Sequence, residues 1–292
     1  MFATYHYSVG GFTFRLLLPP QQDADALLPS FRAFRREPSM GEPMLFTFTA
    51  GVEPPFPMPR ERLLEETLDE QGQVSLWRVG CGFSMEVCPA YGTPSHVLYA
   101  MADFVRVWAT LHWDAPAVGS VLGFMLRMTY AQAVQPHGAV LVHAAAVTLG
   151  GMAYLFMGRS GTGKSTHARL WMRCFRKCQL LNDDTPVLRL QDGQVWAYGT
   201  PWSGKTPCYR PLRFPVRGIV RLFQASRNRF IPCQDVEAFN TLLPGCSAIR
   251  SRSWFYQRMA DTLAQVAMLV TVGQLECLPN DDAAKICAAG LA

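Results

Sequence analysis

The sequence predicts an α/β fold in which a β-rich α+β region, residues 1–136, precedes a P-loop domain, residues 137–292. Three observations carry this. Residues 158–166 read GRSGTGKST and fit the phosphate-loop pattern G-x-x-x-x-G-K-[ST]. A short apolar run, 153–157 (AYLFM), precedes the loop with strand character, and 166–175 (THARLWMRCF) follows it with helical character, Leu170 and Cys174 lying four apart on one face. Before about residue 90, short strand-like runs alternate with Gly and Pro punctuation.

In chain order, 4–9 and 13–18 flank Gly10-Gly11 as a hairpin, and 46–49 and 74–79 are further strands. The Gly80-Cys81-Gly82 turn leads into a strand at 83–87, and proline-rich 54–59 is a loop. The charged stretch 61–71 is expected to be a connector with helical character. His6, His96 and His112 stand isolated and read as structural or surface residues. Apolar Val121, Met125, Met128 and Ala131 predict a helix over 118–135, and Pro136-His137-Gly138 marks the domain boundary.

Beyond it, 139–147 reads as one strand, turned at Gly150-Gly151 into the strand that feeds the loop. The nineteen uncharged residues 139–157 are long enough to span a membrane, but the Gly-Gly break and His143 favour two buried strands. A strand at 180–181 ends in Asn182-Asp183-Asp184, and 187–190 and 195–198 form a hairpin around Asp192-Gly193. A strand at 218–223 and helices at 235–243 and 255–270 complete the reading.

Hydrophobic residues make up 49% of the 292 positions and charged ones 17%, which excludes disorder. A net charge of +5 suits an anionic substrate such as a nucleotide, while the lack of a Lys/Arg block argues against nucleic acid. Nine cysteines, an odd number without any CxxC pair, point to a reducing cytoplasm rather than a zinc ribbon or disulfide frame. The N-terminal residues show no signal-peptide pattern, and no membrane span is expected.

The chemistry is expected at the loop. Backbone N–H groups of Gly158, Arg159, Ser160, Gly161, Thr162 and Gly163 would turn onto the phosphates of ATP, helped by the helix N-terminus at Lys164, Ser165 and Thr166. Lys164 would reach the β- and γ-phosphates, and the Ser165 hydroxyl would bind Mg²⁺. Asp183 and Asp184, taken as adjacent residues on an extended segment, would point to opposite sides, one to the metal and one to the nucleophile. Gly199-Thr200-Pro201-Trp202-Ser203-Gly204-Lys205 is a Gly-bounded loop ending in a lysine, and Lys205 and Arg210 flank it as candidate phosphate clamps. Their alternative is a solvated basic face.

The order His143, then the glycine-rich loop fifteen residues on, then an apolar strand ending in Asp-Asp resembles the C-terminal catalytic domain of the HPr kinase/phosphorylase family. The runs SGTGKST and LLNDD also resemble the ATP-dependent phosphoenolpyruvate (PEP) carboxykinases, which share that P-loop fold. The resemblance covers about residues 137–225. It implies a PEP carboxykinase/HPr kinase-like domain, with Asp184 as the base that accepts a hydroxyl proton, His143 tuning it and Asp183 supporting Mg²⁺. Two departures stand out. The glutamate-containing signature of HPr kinases has no counterpart, since no Asp or Glu occurs between Asp192 and Asp235, and seven Lys/Arg residues from Lys205 to Arg229 occupy that interval. The second set of metal ligands of carboxykinases is not evident either. The expectation is an ATP-dependent kinase acting on a hydroxyl, in the HPr-kinase manner a serine of a small protein or peptide. The alternatives are a sugar or other small-molecule kinase, or an ATP-binding regulatory module that transfers nothing. A homo-oligomer is allowed for.

Overall fold

The computed structural model describes residues 1–69, 71–204, 206–249 and 253–292. The molecule is a mixed α/β protein of two compact units, Met1–Val134 and Gln135–Ala292.

The first unit is one mixed eight-stranded sheet. Its strands are β1 (Ala3–Val9), β2 (Phe12–Leu18), β3 (Thr47–Ala50), β4 (Arg60–Asp69), β5 (Gly72–Val79), β6 (Gly82–Cys88), β7 (His96–Met101) and β8 (Arg106–Thr110). Their spatial order is β1-β2-β3-β8-β7-β6-β5-β4. The Gly10-Gly11 hairpin forms in register, both glycines taking the positive φ that a tight turn needs. Helix α1 (Ala24–Leu27) packs on α2 (Val118–Ala133), which closes the core by inserting Tyr130 edge-on to Phe14, its hydroxyl donating to the Val9 carbonyl at 2.8 Å. Two expectations change here. The charged stretch after residue 60 is the edge strand β4, because pairing with β5 supplies the backbone partners that β5 would otherwise lack. His96 and His112 are neighbours, ring centres 5.6 Å apart, with the His112 N–H donating to His96 Nδ1.

The second unit is built on β9 (Ala139–Leu141), β10 (Ala144–Leu149), β11 (Met152–Met157), β12 (Gln179–Asn182), β13 (Val187–Gln191), β14 (Gln194–Tyr198), β15 (Arg213–Gln224), β16 (Arg229–Cys233) and β17 (Thr271–Cys277). Its helices are α3 (Lys164–Cys174), α4 (Asp235–Leu242), α5 (Ser253–Leu269) and α6 (Asp281–Gly290). The sheet runs β12-β10-β11-β15-β14-β13-β9, and β17 joins the far side of β15 in parallel. Residues 139–147 are two strands rather than one. The Val142 and His143 N–H groups leave the ladder for the carbonyls of Pro186 and Gly245, so β9 pairs with β13 while β10 pairs with β11 and β12. The Asp192-Gly193 hairpin forms with both residues at positive φ. Among the described residues, no helix is long and apolar enough to cross a membrane.

Side chains of β10 and β11 alternate between two apolar layers, as a strand covered on both faces requires. Ala144, Ala146, Leu155 and Met157 face a layer shared with α4 and α5, while Ala145, Val147 and Phe156 face α3 and α6. In the latter, buried His167 of α3 accepts from Trp171 Nε1 at 3.1 Å, and burial pushes its pKa from 6.5 down to about 4. The native imidazole therefore refuses a proton that the unfolded chain accepts below about pH 6.5. Stability is lost as pH falls from there to about 4, at about 1.4 kcal/mol per pH unit, or about 3 kcal/mol in all. In His167→Gln, which keeps an acceptor for Trp171, urea unfolding at pH 7 and pH 4 should show that much less acid destabilisation. Equal acid losses in both proteins would refute it.

Candidate functional site

The sheet gathers one edge. β11, β12, β15 and β17 all run the same way, and β10 runs opposite. The segments after β11, after β12 and at the end of β15, and the segment before β10, therefore emerge together, where open α/β sheets take their ligands.

After β11 the chain turns through the glycine-rich loop into α3. Gly161 and Gly163 sit at φ 78° and 105°, and a Cβ on either would meet nothing within 4 Å, so the loop needs glycine for backbone conformation and leaves open space above it. Thr162 closes the loop on itself, its N–H and hydroxyl both donating to the Arg159 carbonyl. From β15, the Gln224 amide donates to the Gly161 carbonyl at 3.3 Å. Gly163 precedes α3 without a side-chain cap, leaving the first-turn N–H groups of Lys164, Ser165 and Thr166 aimed outward as an anion site needs. Lys164 is buried, and its Nζ donates back to the carbonyls of Gly158 and Arg159 at 3.2 and 3.3 Å. Burial lowers its pKa, opposed by the charges of Asp184 and Asp183. Those two carboxylates thus stand within electrostatic reach of the lysine.

After β12 the chain bends, and the bend is made by Asn182. Its Oδ1 accepts from the N–H groups of Asp184 (3.0 Å) and Thr185 (2.7 Å), and its Nδ2 donates to Thr200 Oγ1 and the Trp202 carbonyl, each at 3.1 Å. The two carboxylates diverge as expected of neighbours, but through this turn and not through the pleat of a strand. Asp183 accepts from the Thr206 N–H at 3.1 Å. Asp184 faces the other way, with His143 Nδ1 3.1 Å from one oxygen and the Thr185 hydroxyl donating to the other at 2.6 Å. The expected pairing of His143 with Asp184 is therefore present, although His143 lies at the break between β9 and β10 and not inside a strand.

The loop from Gly199 onward packs on this bend, and a Cβ at Gly204 would stand 3.0 Å from the Asp183 carbonyl. Lys205 lies outside the described residues. Arg210 is engaged elsewhere than with phosphate, donating to the Leu180 carbonyl at 2.7 Å and to Gln179 Oε1 at 3.0 Å. The basic interval disperses in the same way. Arg213 lies over Trp196 on the hairpin, while Arg221 near the end of β15 feels the charge of Arg159 in the loop. Sequence reasoning missed the parts played by Asn182, Thr185 and Gln224, and held Arg221 only as one member of the basic interval. For Asn182 and Thr185 the signal was a short polar residue on each side of the Asp pair, the composition of a side-chain-capped turn.

These residues fit a nucleoside triphosphate with Mg²⁺. The loop offers open space, uncapped N–H groups and an ammonium, and a metal shared with phosphates needs only one or two protein carboxylates. No group of three or more metal-ligating side chains occurs among the described residues, which such a shared site does not require.

No protein-family model matches the chain, and no curated protein matches it. Among solved structures, one similar to it is the Hpr(Ser) kinase/phosphatase from Coxiella burnetii, with 11% identity and a TM-score of 0.31. The match covers 52% of this chain and 93% of that one, a distant structural likeness.

Proposed function

We propose that this protein is an ATP-dependent kinase that transfers the γ-phosphate to a hydroxyl. The observation that carries the reading is the meeting, at one sheet edge, of a lysine-bearing phosphate loop with the Asp184–His143 pair. The loop amides and Lys164 bind and orient the phosphates. Ser165 Oγ and Asp183, the latter anchored by Thr206, hold Mg²⁺, which when bound offsets the charge of the phosphates. Asp184, steadied on both oxygens, takes the acceptor's hydroxyl proton as the acceptor oxygen bonds to the γ-phosphorus and the ADP oxygen departs. His143 orients this carboxylate. A serine of a small protein or peptide is the acceptor implied by the sequence resemblance.

The test uses γ-labelled ATP and the purified chain with candidate proteins, peptides and small hydroxyl compounds. Label in a protein or peptide is the expected result. Label only in a sugar or metabolite replaces the acceptor, and binding of ATP with no transfer to any of them reduces the protein to a nucleotide-responsive module.

A further inference from the structure

At the end of β15, whose Gln224 reaches the phosphate loop, lies an open groove of about 440 Å³ that the kinase reading leaves without a role. Its floor is Arg221 and Phe223 of β15 and Gln274 of β17, and its wall is Val236, Glu237 and Asn240 of α4. Phe223 is 40% exposed and Val236 71%, although both line a concavity. The Arg221 guanidinium lies 5.7 Å from the Phe223 ring centre and donates to the Thr241 carbonyl at 3.3 Å, while the Gln274 amide donates to the Thr241 hydroxyl. An aromatic face, an aliphatic cover, two amides and a carboxylate are what a flat, edge-functional heterocycle needs: stacking on its faces and hydrogen bonds at its rim.

Position selects which ligand this is. Across the sheet edge the order is β12 with Asp184, then β10 with His143, then β11 with the loop, then β15 and β17 with the groove. The acceptor and the γ-phosphate belong on the Asp184 side. A triphosphate threaded through the loop therefore carries its other end toward β15. Along that path Arg221 feels the like charge of Arg159 in the loop, and its pKa is lowered by burial and then by Arg159. A polyanion bound near both cations offsets their repulsion.

We propose that this groove is the nucleoside subsite of the phosphate loop, seating the base and ribose of a purine nucleoside triphosphate against Phe223, with its rim read by Asn240, Gln274 and Glu237. The proposal rests on reading the loop as a triphosphate site, and two probes separate the two ideas. Mg²⁺–ATP and Mg²⁺–tripolyphosphate are titrated by calorimetry into the full chain and into Phe223→Ser and Val236→Trp, which sit on different elements and alter exposed side chains. Unchanged thermal-unfolding midpoints check that both variants fold. Each variant should weaken ATP about tenfold, equivalent to about 1.4 kcal/mol, and leave tripolyphosphate unchanged. Unchanged ATP affinity in both variants, or equal losses for the two probes, overturns the subsite. If the unaltered protein binds neither probe, the phosphate loop reading itself fails and the subsite falls with it.

Discussion

Asp184→Asn should cut phosphate transfer by about 10²- to 10⁴-fold while ATP binding survives. That is the range a positioned general base contributes, and asparagine keeps the shape but cannot accept the proton. The surroundings favour a clean result. The amide oxygen can still accept from Thr185, whose hydroxyl now holds one carboxylate oxygen at 2.6 Å, and the backbone bond from the Ala144 N–H to the residue 184 carbonyl is untouched. The neighbouring substitution should behave differently. Asp183→Asn keeps an acceptor for the Thr206 N–H but removes a charge from the metal's side, so it should raise the Mg²⁺ concentration needed for half-maximal rate. Full transfer by Asp184→Asn would remove it as the base and make His143 the next side chain to test.

How much of this was legible in the sequence follows from how local each feature is. The phosphate loop is set by glycines at left-handed φ within six residues of Lys164, so the pattern of residue types carries its geometry. The hairpins at Gly10-Gly11 and Asp192-Gly193 are local for the same reason. Other features depend on chain far away. Whether 61–69 is helix or strand is decided by β5, and its Glu- and Leu-rich composition says nothing of that partner. The break at Val142-His143 requires acceptors from Pro186 and Gly245, more than forty residues downstream. It is also what brings His143 to Asp184. The basic interval shows the converse failure. As a run of like charge it offered a phosphate clamp or a solvated basic face, but folding sends Arg210 to β12, Arg213 to an aromatic hairpin and Arg221 to the Thr241 carbonyl. Composition identified the charge, and only the strand order assigned it a place.

Lys164→Ala should cut ATP turnover by at least about two to three orders of magnitude, the cost of removing one preorganised donor from a site of developing charge, and should also weaken ATP binding. In the free protein this ammonium lies buried against two carbonyls of its own loop, a position that costs desolvation and that phosphate oxygens would take over. The loss of binding should therefore come without a comparable loss of fold, which calorimetric unfolding checks. The pH profile gives a second reading. Burial holds the Lys164 pKa below 10.5, so the free protein loses this charge earlier on the alkaline side than an ordinary lysine would. Because kcat/KM reports the free enzyme, its alkaline limb should begin to fall below the ordinary lysine range. Unaltered ATP affinity and consumption in Lys164→Ala would refute the phosphate-loop assignment, and the roles of Asp183 at the metal and Asp184 at the acceptor hydroxyl would fall with it.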